Sequence, residues 1–276
     1  MTKRVLPREE ILRRLNKTIS ESKPIIAAGC SAGLIAKCAE IGGADLIVAY
    51  STGKTRLMGL PTTVIGDSNP TTLNMCDELQ NVIKDTPIIA GVEGGDPRKL
   101  DLRELITPFI QIGYSGIINF PTIALSGESR IAAKESVGLG YKREVDMIKV
   151  AHEMNIFTMA YAFSPTESKL MAEANVDCIV AHAGRTKGGL VGFKDFLGRE
   201  KAAELVQEII DAAKSVNPNM ICLAHGGPFA SPEDTEYLYE HTDSKGFVGA
   251  SSIERIPIEK AVIEVVRGFK SIPIKR

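Results

Sequence analysis

The sequence has no tryptophan, and aromatic residues make up only 5% of it. Its core must then come mainly from Ile, Val, Leu and Ala, within an apolar fraction of 44%. Such side chains suit parallel strands covered on both faces. No charge of one sign dominates: 33 Lys and Arg stand against 34 Asp and Glu, a formal net charge of −1. With no long run of one sign either, nucleic acid and anionic membrane surfaces are not expected partners. No apolar run approaches the roughly 18 residues of a membrane-spanning helix. The amino-terminal MTKRVLPREEILRRLNK is too charged for a secretory signal. Five cysteines are scattered without a CxxC pair, as expected of reduced thiols in a cytoplasmic protein.

What the chain does have is an alternation. Short apolar runs are followed by amphipathic stretches eight times. The runs are Pro24–Gly29, Ala44–Tyr50, Pro87–Val92, Gly116–Asn119, Phe157–Tyr161, Cys178–His182, Met220–Ala224 and Gly246–Gly249. Ahead of the first, Arg8 to Ser20 carries Ile11, Leu12, Leu15 and Ile19 at helical spacing. The pattern predicts a single (β/α)8 TIM barrel over residues 1–276, with an amino-terminal helix capping its bottom. The last helix shows one apolar stripe through Ile258, Ala261, Val262, Val265, Val266 and Phe269. Asn69-Pro70, Ser164-Pro165 and Ser231-Pro232 read as helix starts, the latter two with Glu167 and Asp234 completing capping boxes.

Connections are lopsided. Links from helix to strand are mostly short, whereas Ser51–Asn69, Phe120–Gly140 and Ala183–Gly198 are long. All three follow strands, so they fall on the rim where barrel enzymes place their chemistry. Loop four, with Ser126, Glu128, Arg130, Lys134 and Glu135, has the mixed charge and length of a solvated lid. On the long loops Lys54, Arg56, Arg130, Lys134, Arg185, Lys187 and Lys194 outnumber Asp67, Glu128, Glu135 and Asp195. A near-neutral protein with a cationic mouth favours a small anionic ligand.

Particular residues on that rim carry the chemistry. Ser51, Thr52, Gly53 and Lys54 end like a nucleotide-binding P-loop, but its first glycine would fall at Val48 inside a strand. They form either a loop whose backbone N–H groups and Lys54 hold a carboxylate or phosphate, or a solvated turn. Glu93 and Asp96 end strand three. They suit a Mg2+ site, with Glu93 alternatively a general acid or base, or else an ion pair and a helix cap. Of four histidines, His152 and His241 fall on outer helices, while His182 and His225 end strands six and seven. Arg185 follows closely and can clamp an anion. Gly226 and Gly227 after strand seven, with Ser251 and Ser252 after strand eight, occupy the habitual phosphate site of this architecture. Tight turns without a ligand are the alternative. Gly29 and Cys30 end strand one. Cys30 is a candidate nucleophile or a buried inert thiol.

Six segments together resemble the phosphoenolpyruvate hydrolase-like family: Ala27–Leu34, Gly43–Asp45, Pro87–Pro97 (PIIAGVEGGDP), Gly116–Pro121 (GIINFP), Ala181–Gly189 (AHAGRTKGG) and Gly246–Pro257 (GFVGASSIERIP). Its members are also described as predicted TIM-barrel signal-transduction proteins. More distantly, the chain is similar to the phosphoenolpyruvate mutase/isocitrate lyase superfamily, whose members bind a 2-oxo acid or its enol through Mg2+. The two metal aspartates on that superfamily's third strand fall here at Gly91 and Glu93, and its Cys-Gly-His loop has no counterpart in Ser126–Gly140.

The resemblance implies a lyase- or hydrolase-type enzyme acting on a small phosphorylated or phosphonylated 2-oxo acid. Gly226, Gly227, Ser251 and Ser252 would hold the phosphoryl group, and Ser51, Thr52 and Gly53 the carboxylate. Glu93 would ligate Mg2+, His182 would move a proton, and Arg185 would offset oxyanion charge. A metal-independent C–C lyase and a non-catalytic anion sensor or interaction module are the alternatives. Such barrels are commonly homo-oligomers.

Overall fold

Eight parallel strands close into one ring in sequence order, with β8 paired to β1. The computed structural model describes residues 4–64 and 66–275. The strands are β1 (Ile25–Gly29), β2 (Leu46–Ala49), β3 (Ile88–Gly91), β4 (Gly116–Ile118), β5 (Phe157–Ala162), β6 (Cys178–His182), β7 (Ile221–His225) and β8 (Gly246–Gly249). The helices are α1 (Arg8–Ser20), α2 (Gly33–Ile41), α3 (Gly53–Leu57), α4 (Ser68–Gln80), α5 (Leu102–Ile112), α6 (Glu128–Glu135), α7 (Tyr141–Glu153), α8 (Pro165–Glu173), α9 (Arg199–Val216), α10 (Pro232–His241), α11 (Ser251–Glu254) and α12 (Ile256–Ser271). This is the (β/α)8 barrel that the alternation predicts.

Alternation of side chains along each strand splits the core in two. One set, including Leu46, Val48, Ile89, Met159, Val180, Leu223 and Val248, fills the inside of the ring. The other, including Ile47, Ala90, Ile117, Ile179 and Cys222, packs outward under the helices. Ile11 and Leu15 of α1 join the inner set and close the bottom. Arg8 fixes that helix to Asp177 through a 2.6 Å ion pair. Asp177 also accepts from the Thr158 N–H, tying the cap to the strand register.

Two helix starts are built as predicted. Ser164 Oγ accepts from Glu167 N, while the Glu167 carboxylate accepts from Phe163 N. Ser231 and Asp234 do the same at α10. Asn69 does not cap α4, which begins one residue earlier. Its side chain instead accepts from Glu93 N and donates to Glu93 O and Asp96, bracing the end of β3. Loop four is more ordered than a solvated lid: it forms a 3-10 turn over Ile123–Leu125 and then α6.

The last helix departs from expectation in its packing. α12 forms where the periodicity places it, but its stripe does not lie on the barrel. Val262, Val265 and Val266 are each more than half exposed, and Phe269 is 77% exposed. Ile256, at its first turn, is its one buried residue among those described. α2 likewise turns Leu34, Cys38 and Ile41 to solvent at helical spacing. No helix among the described residues is long and apolar enough to cross a membrane.

Candidate functional site

At the carboxyl end of the barrel the inward-facing residues change character. Tyr50 follows β2, Phe120 follows β4, Tyr161 lies near the end of β5, and His182 and His225 end β6 and β7. Their rings form a connected floor. Tyr50 and Phe120 are 4.8 Å apart by centroid, and Phe120 and Tyr161 are 5.3 Å apart. Tyr161 is 5.3 Å from each histidine, and the histidines are 4.7 Å from each other. In a chain this poor in aromatics, such a concentration at strand ends is a signal the sequence offered and strand reading alone did not use.

Above this floor opens a cavity of about 270 Å³. His182, Arg185 and His225 line it, with Thr52 from loop two and Ser251 from loop eight. The structure therefore brings these candidates together. It adds Arg56, Arg130 and Arg255, so that among the described residues four arginines face the space and no aspartate or glutamate does. Arg56 is fully inside the protein and pairs with the equally buried Glu254 at 2.6 Å. Glu254 in turn accepts from the N–H and hydroxyl of Ser31. Arg255 pairs with Glu259 at 2.6 Å and donates to Gly188 O. Arg130 and Arg185 sit at the open rim without an ion-pair partner among the described residues. Arg185 lies over the Phe193 ring and donates to Leu125 O, so it links loops six and four.

Two buried hydroxyls of the loop after β2 have no hydrogen-bond partner among the described residues: Ser51 Oγ and Thr52 Oγ1. An unmade buried hydrogen bond costs about 1–3 kcal/mol. Thr52 belongs to the cavity wall, so a ligand group is a natural partner for its hydroxyl. Ser51 lies behind that wall. Gly53 also lies behind it, and its N–H is committed to Tyr50 O. Lys54 donates to Ser31 O and does not line the cavity.

The histidines differ in their local bonding. Gly184 N donates to Nδ1 of His182 at 3.0 Å. Nδ1 of His225 lies 2.6 Å from Val248 O. Burial pushes both rings below the ordinary histidine range, His225 to about 4, with Arg56 adding to the effect. For His182 the shift is large, reinforced by His225 and Arg185. Both are neutral imidazoles at neutral pH.

Other candidates fall elsewhere. Glu93 does not face the histidines. It lines a neighbouring chamber of about 40 Å³ with Lys134, Arg130 and Glu144. Asp96 is saturated by Arg98, at 2.7 Å, and by Asn69, which hold its carboxyl far below the usual range. Among the described residues no cluster of three acidic, histidine or cysteine side chains could hold a metal ion. The two strand-three carboxylates thus serve different surroundings: Asp96 is taken up by Arg98 and Asn69, and Glu93 lines the smaller chamber.

Gly226 and Gly227 have φ of +79° and +57°, in the left-handed region that favours glycine. A Cβ at either would meet the backbone oxygen of Gly184 or Ala183 at 2.1 or 2.3 Å. Gly227 N donates to Gly184 O. The pair serves close packing of loops six and seven and does not line the cavity. Gly29 packs equally tightly against Tyr50 and Ala250. Cys30 is buried, its thiol pushed up by burial and by Glu254, which makes it inert. Ser252 has a buried hydroxyl without a partner but stands outside the cavity wall.

Glu144 escaped sequence reading because it comes from α7 and not from a strand end. It accepts from Asn119 Nδ2 at 2.8 Å and Ile123 N at 2.7 Å, fixing the start of loop four. Burial pushes its carboxyl up to about 8 despite these donors.

Comparison with known proteins places these observations. The chain is 41% identical over 271 residues to the ToMV susceptible protein tm-1(GCR26) of Solanum lycopersicum, covering 96% of this chain but 36% of that protein. It thus spans about a third of the length of that curated relative. The fold matches 2,3-dimethylmalate lyase, a PEP mutase/isocitrate lyase superfamily member, with TM-score 0.63 at 15% identity over 98% of this chain and 88% of that one. It also matches phosphonopyruvate hydrolase, solved with oxalate and Mg2+, with TM-score 0.61 at 17% identity over 94% and 87% of the two chains. A family model described as phosphoenolpyruvate hydrolase-like matches residues 10–272, and the chain belongs to that family.

Proposed function

We propose that the barrel mouth binds a small 2-oxo acid with a second anionic group, and that the protein is a lyase- or hydrolase-type enzyme working without a divalent metal ion. One observation carries this reading: a cavity walled by four arginines and no carboxylate, above two neutral histidines. Its size, about 270 Å³, suits a substrate of phosphonopyruvate or dicarboxylate dimensions. The second anionic group is phosphoryl, phosphonyl or carboxylate; guanidinium groups bind each of these in bidentate fashion.

Phosphonopyruvate hydrolase, a structural neighbour, was solved with Mg2+. Mg2+ demands an octahedral shell of oxygens, usually anchored by carboxylates. The residues around this cavity do not fit that ion. Glu93 is in the neighbouring chamber, beside the cationic Lys134 and Arg130. The charge of a developing oxyanion is met here by fixed cations and hydrogen-bond donors, which cost little reorganisation in a partly closed site. Arg56 stands in the wall as an ion pair with Glu254, whereas Arg130 and Arg185 supply rim charges that a ligand can pair.

Titration calorimetry with oxalate and phosphonopyruvate tests the reading. Binding should persist in excess chelator and should not tighten with added Mg2+. Binding that appears only with the metal would refute it.

The apolar lines left open on α12 and α2 support a homo-oligomer, in which a second copy covers both. Val265→Glu should then reduce the mass measured by light scattering, and an unchanged mass would count against that assembly.

A further inference from the structure

The bonds made by the two histidines settle more than their orientation. A backbone N–H can only donate and a carbonyl can only accept. Nδ1 of His182 accepts from Gly184 N, so the proton of that neutral ring resides on Nε2. Nδ1 of His225 faces Val248 O, so that ring carries its proton on Nδ1 and leaves Nε2 bare. The rings are 4.7 Å apart by centroid and both line the cavity. One therefore offers a hydrogen-bond donor and its neighbour an acceptor, with no charge on either.

We propose that the pair divides the work of enolisation: Nε2 of His225 takes the proton from the carbon beside a 2-oxo group, and the Nε2–H of His182 holds the oxygen that becomes the enolate. This rests on the reading of the cavity as a 2-oxo acid site. In the step, the C–H bond breaks and its proton goes to His225. The C–H electron pair becomes the C=C bond, and the carbonyl pair moves onto oxygen. Return of the proton to carbon restores both rings, so no external reactant is needed.

The surroundings favour this assignment over the reverse. Facing His225 are Tyr161, His182 and Arg56. Facing His182 are Tyr161, Phe163, His225 and Arg185. Among the described residues no carboxylate stands beside either ring to stabilise an imidazolium at rest. Val248 O supports the protonated form of His225, because its bond to Nδ1–H strengthens when the ring becomes cationic. His182 has no such partner, since its Nδ1 is already occupied as an acceptor.

Two measurements on the full chain test the pair. Two-bond proton–nitrogen NMR on labelled protein, with rings assigned by H182Q and H225Q, reads the tautomers directly. His182 should show the Nε2–H form and His225 the Nδ1–H form, both unprotonated at pH 6. A reversed or protonated ring overturns the proposal. Exchange of pyruvate methyl protons in D2O reads the chemistry. H225Q should lose about 100-fold or more, because the base is gone, and H182Q about tenfold, because glutamine still offers an N–H. Equal losses, or a larger loss in H182Q, overturn the division of labour. A wild type that binds oxalate but exchanges no pyruvate protons overturns the pair's role and leaves the anion site standing. One that neither binds oxalate nor exchanges protons removes the 2-oxo acid reading itself.

Discussion

Two chambers share a wall at the mouth of this barrel, and they are built on opposite chemical plans. The larger has four arginines, two histidines and no acid in its lining. The smaller holds Glu93 and Glu144 beside Lys134 and Arg130. Val64, Pro121, Thr122, Ser126 and Arg130 border both. The acids of the rim have thus been kept from the space where an anion would sit. The contrast shows that proximity along the sequence to a strand end does not decide which residues meet. Glu93 lies just past β3 and His182 ends β6, yet they serve different spaces.

The sharpest way to break the larger chamber is to unpair its buried charge. Replacing Glu254 with Ala leaves Arg56 in a dry site with no counter-charge. Stability should fall by about 3–5 kcal/mol, read by urea denaturation. Replacing both residues with apolar ones of similar size should recover much of that loss, whereas equal losses would mean the pair is not what holds the loops.

The histidines give the next effect. His225 is held at about 4 in the folded protein, against an ordinary value of 6.5. The unfolded chain therefore binds its proton first as pH falls. The contribution to stability is intact above pH 6.5 and is lost progressively from there down towards 4. By pH 5 wild type should have lost about 2 kcal/mol more than H225Q does over the same range. Glu144 acts in the opposite direction. Raised to about 8, it favours the folded state at low pH and loses that contribution as pH rises from 4.5 towards 8. E144Q should flatten that slope.

Arg185 is exposed at the rim, so its loss should weaken oxalate binding by about tenfold and no more, measured by calorimetry. The smallest effect belongs to the other chamber. Glu93→Gln should change oxalate affinity by less than about twofold, and a large loss would place Glu93 in the anion site after all.

The ring itself was legible because strand burial and helix periodicity are local patterns. Cys178–His182 and Gly246–Gly249 read from sequence with the bounds the structure has. The two rim histidines were legible for the same reason: each ends a strand. The Arg56–Glu254 pair was not, since its partners lie 198 positions apart and no local pattern joins them. Asp96 and Gly226–Gly227 misled because a carboxylate or a double glycine at a strand end serves structure as readily as ligands. Only the surrounding bonds, to Arg98 and Asn69 or to the backbone of Ala183 and Gly184, separate the two uses. The outward stripe of α12 looked like any core-facing helix, because periodicity reports that a face is apolar without saying what covers it.

That helix begins at the cavity. Arg255, at its root, lines the space and grips Gly188 O, while Glu259, one turn on, accepts from Leu190 N. Loop six, with Arg185 at its start, is thereby clamped to the base of a rod that projects from the barrel. The exposed length of that rod and the wall of the cavity therefore share one root, at Arg255 and Glu259.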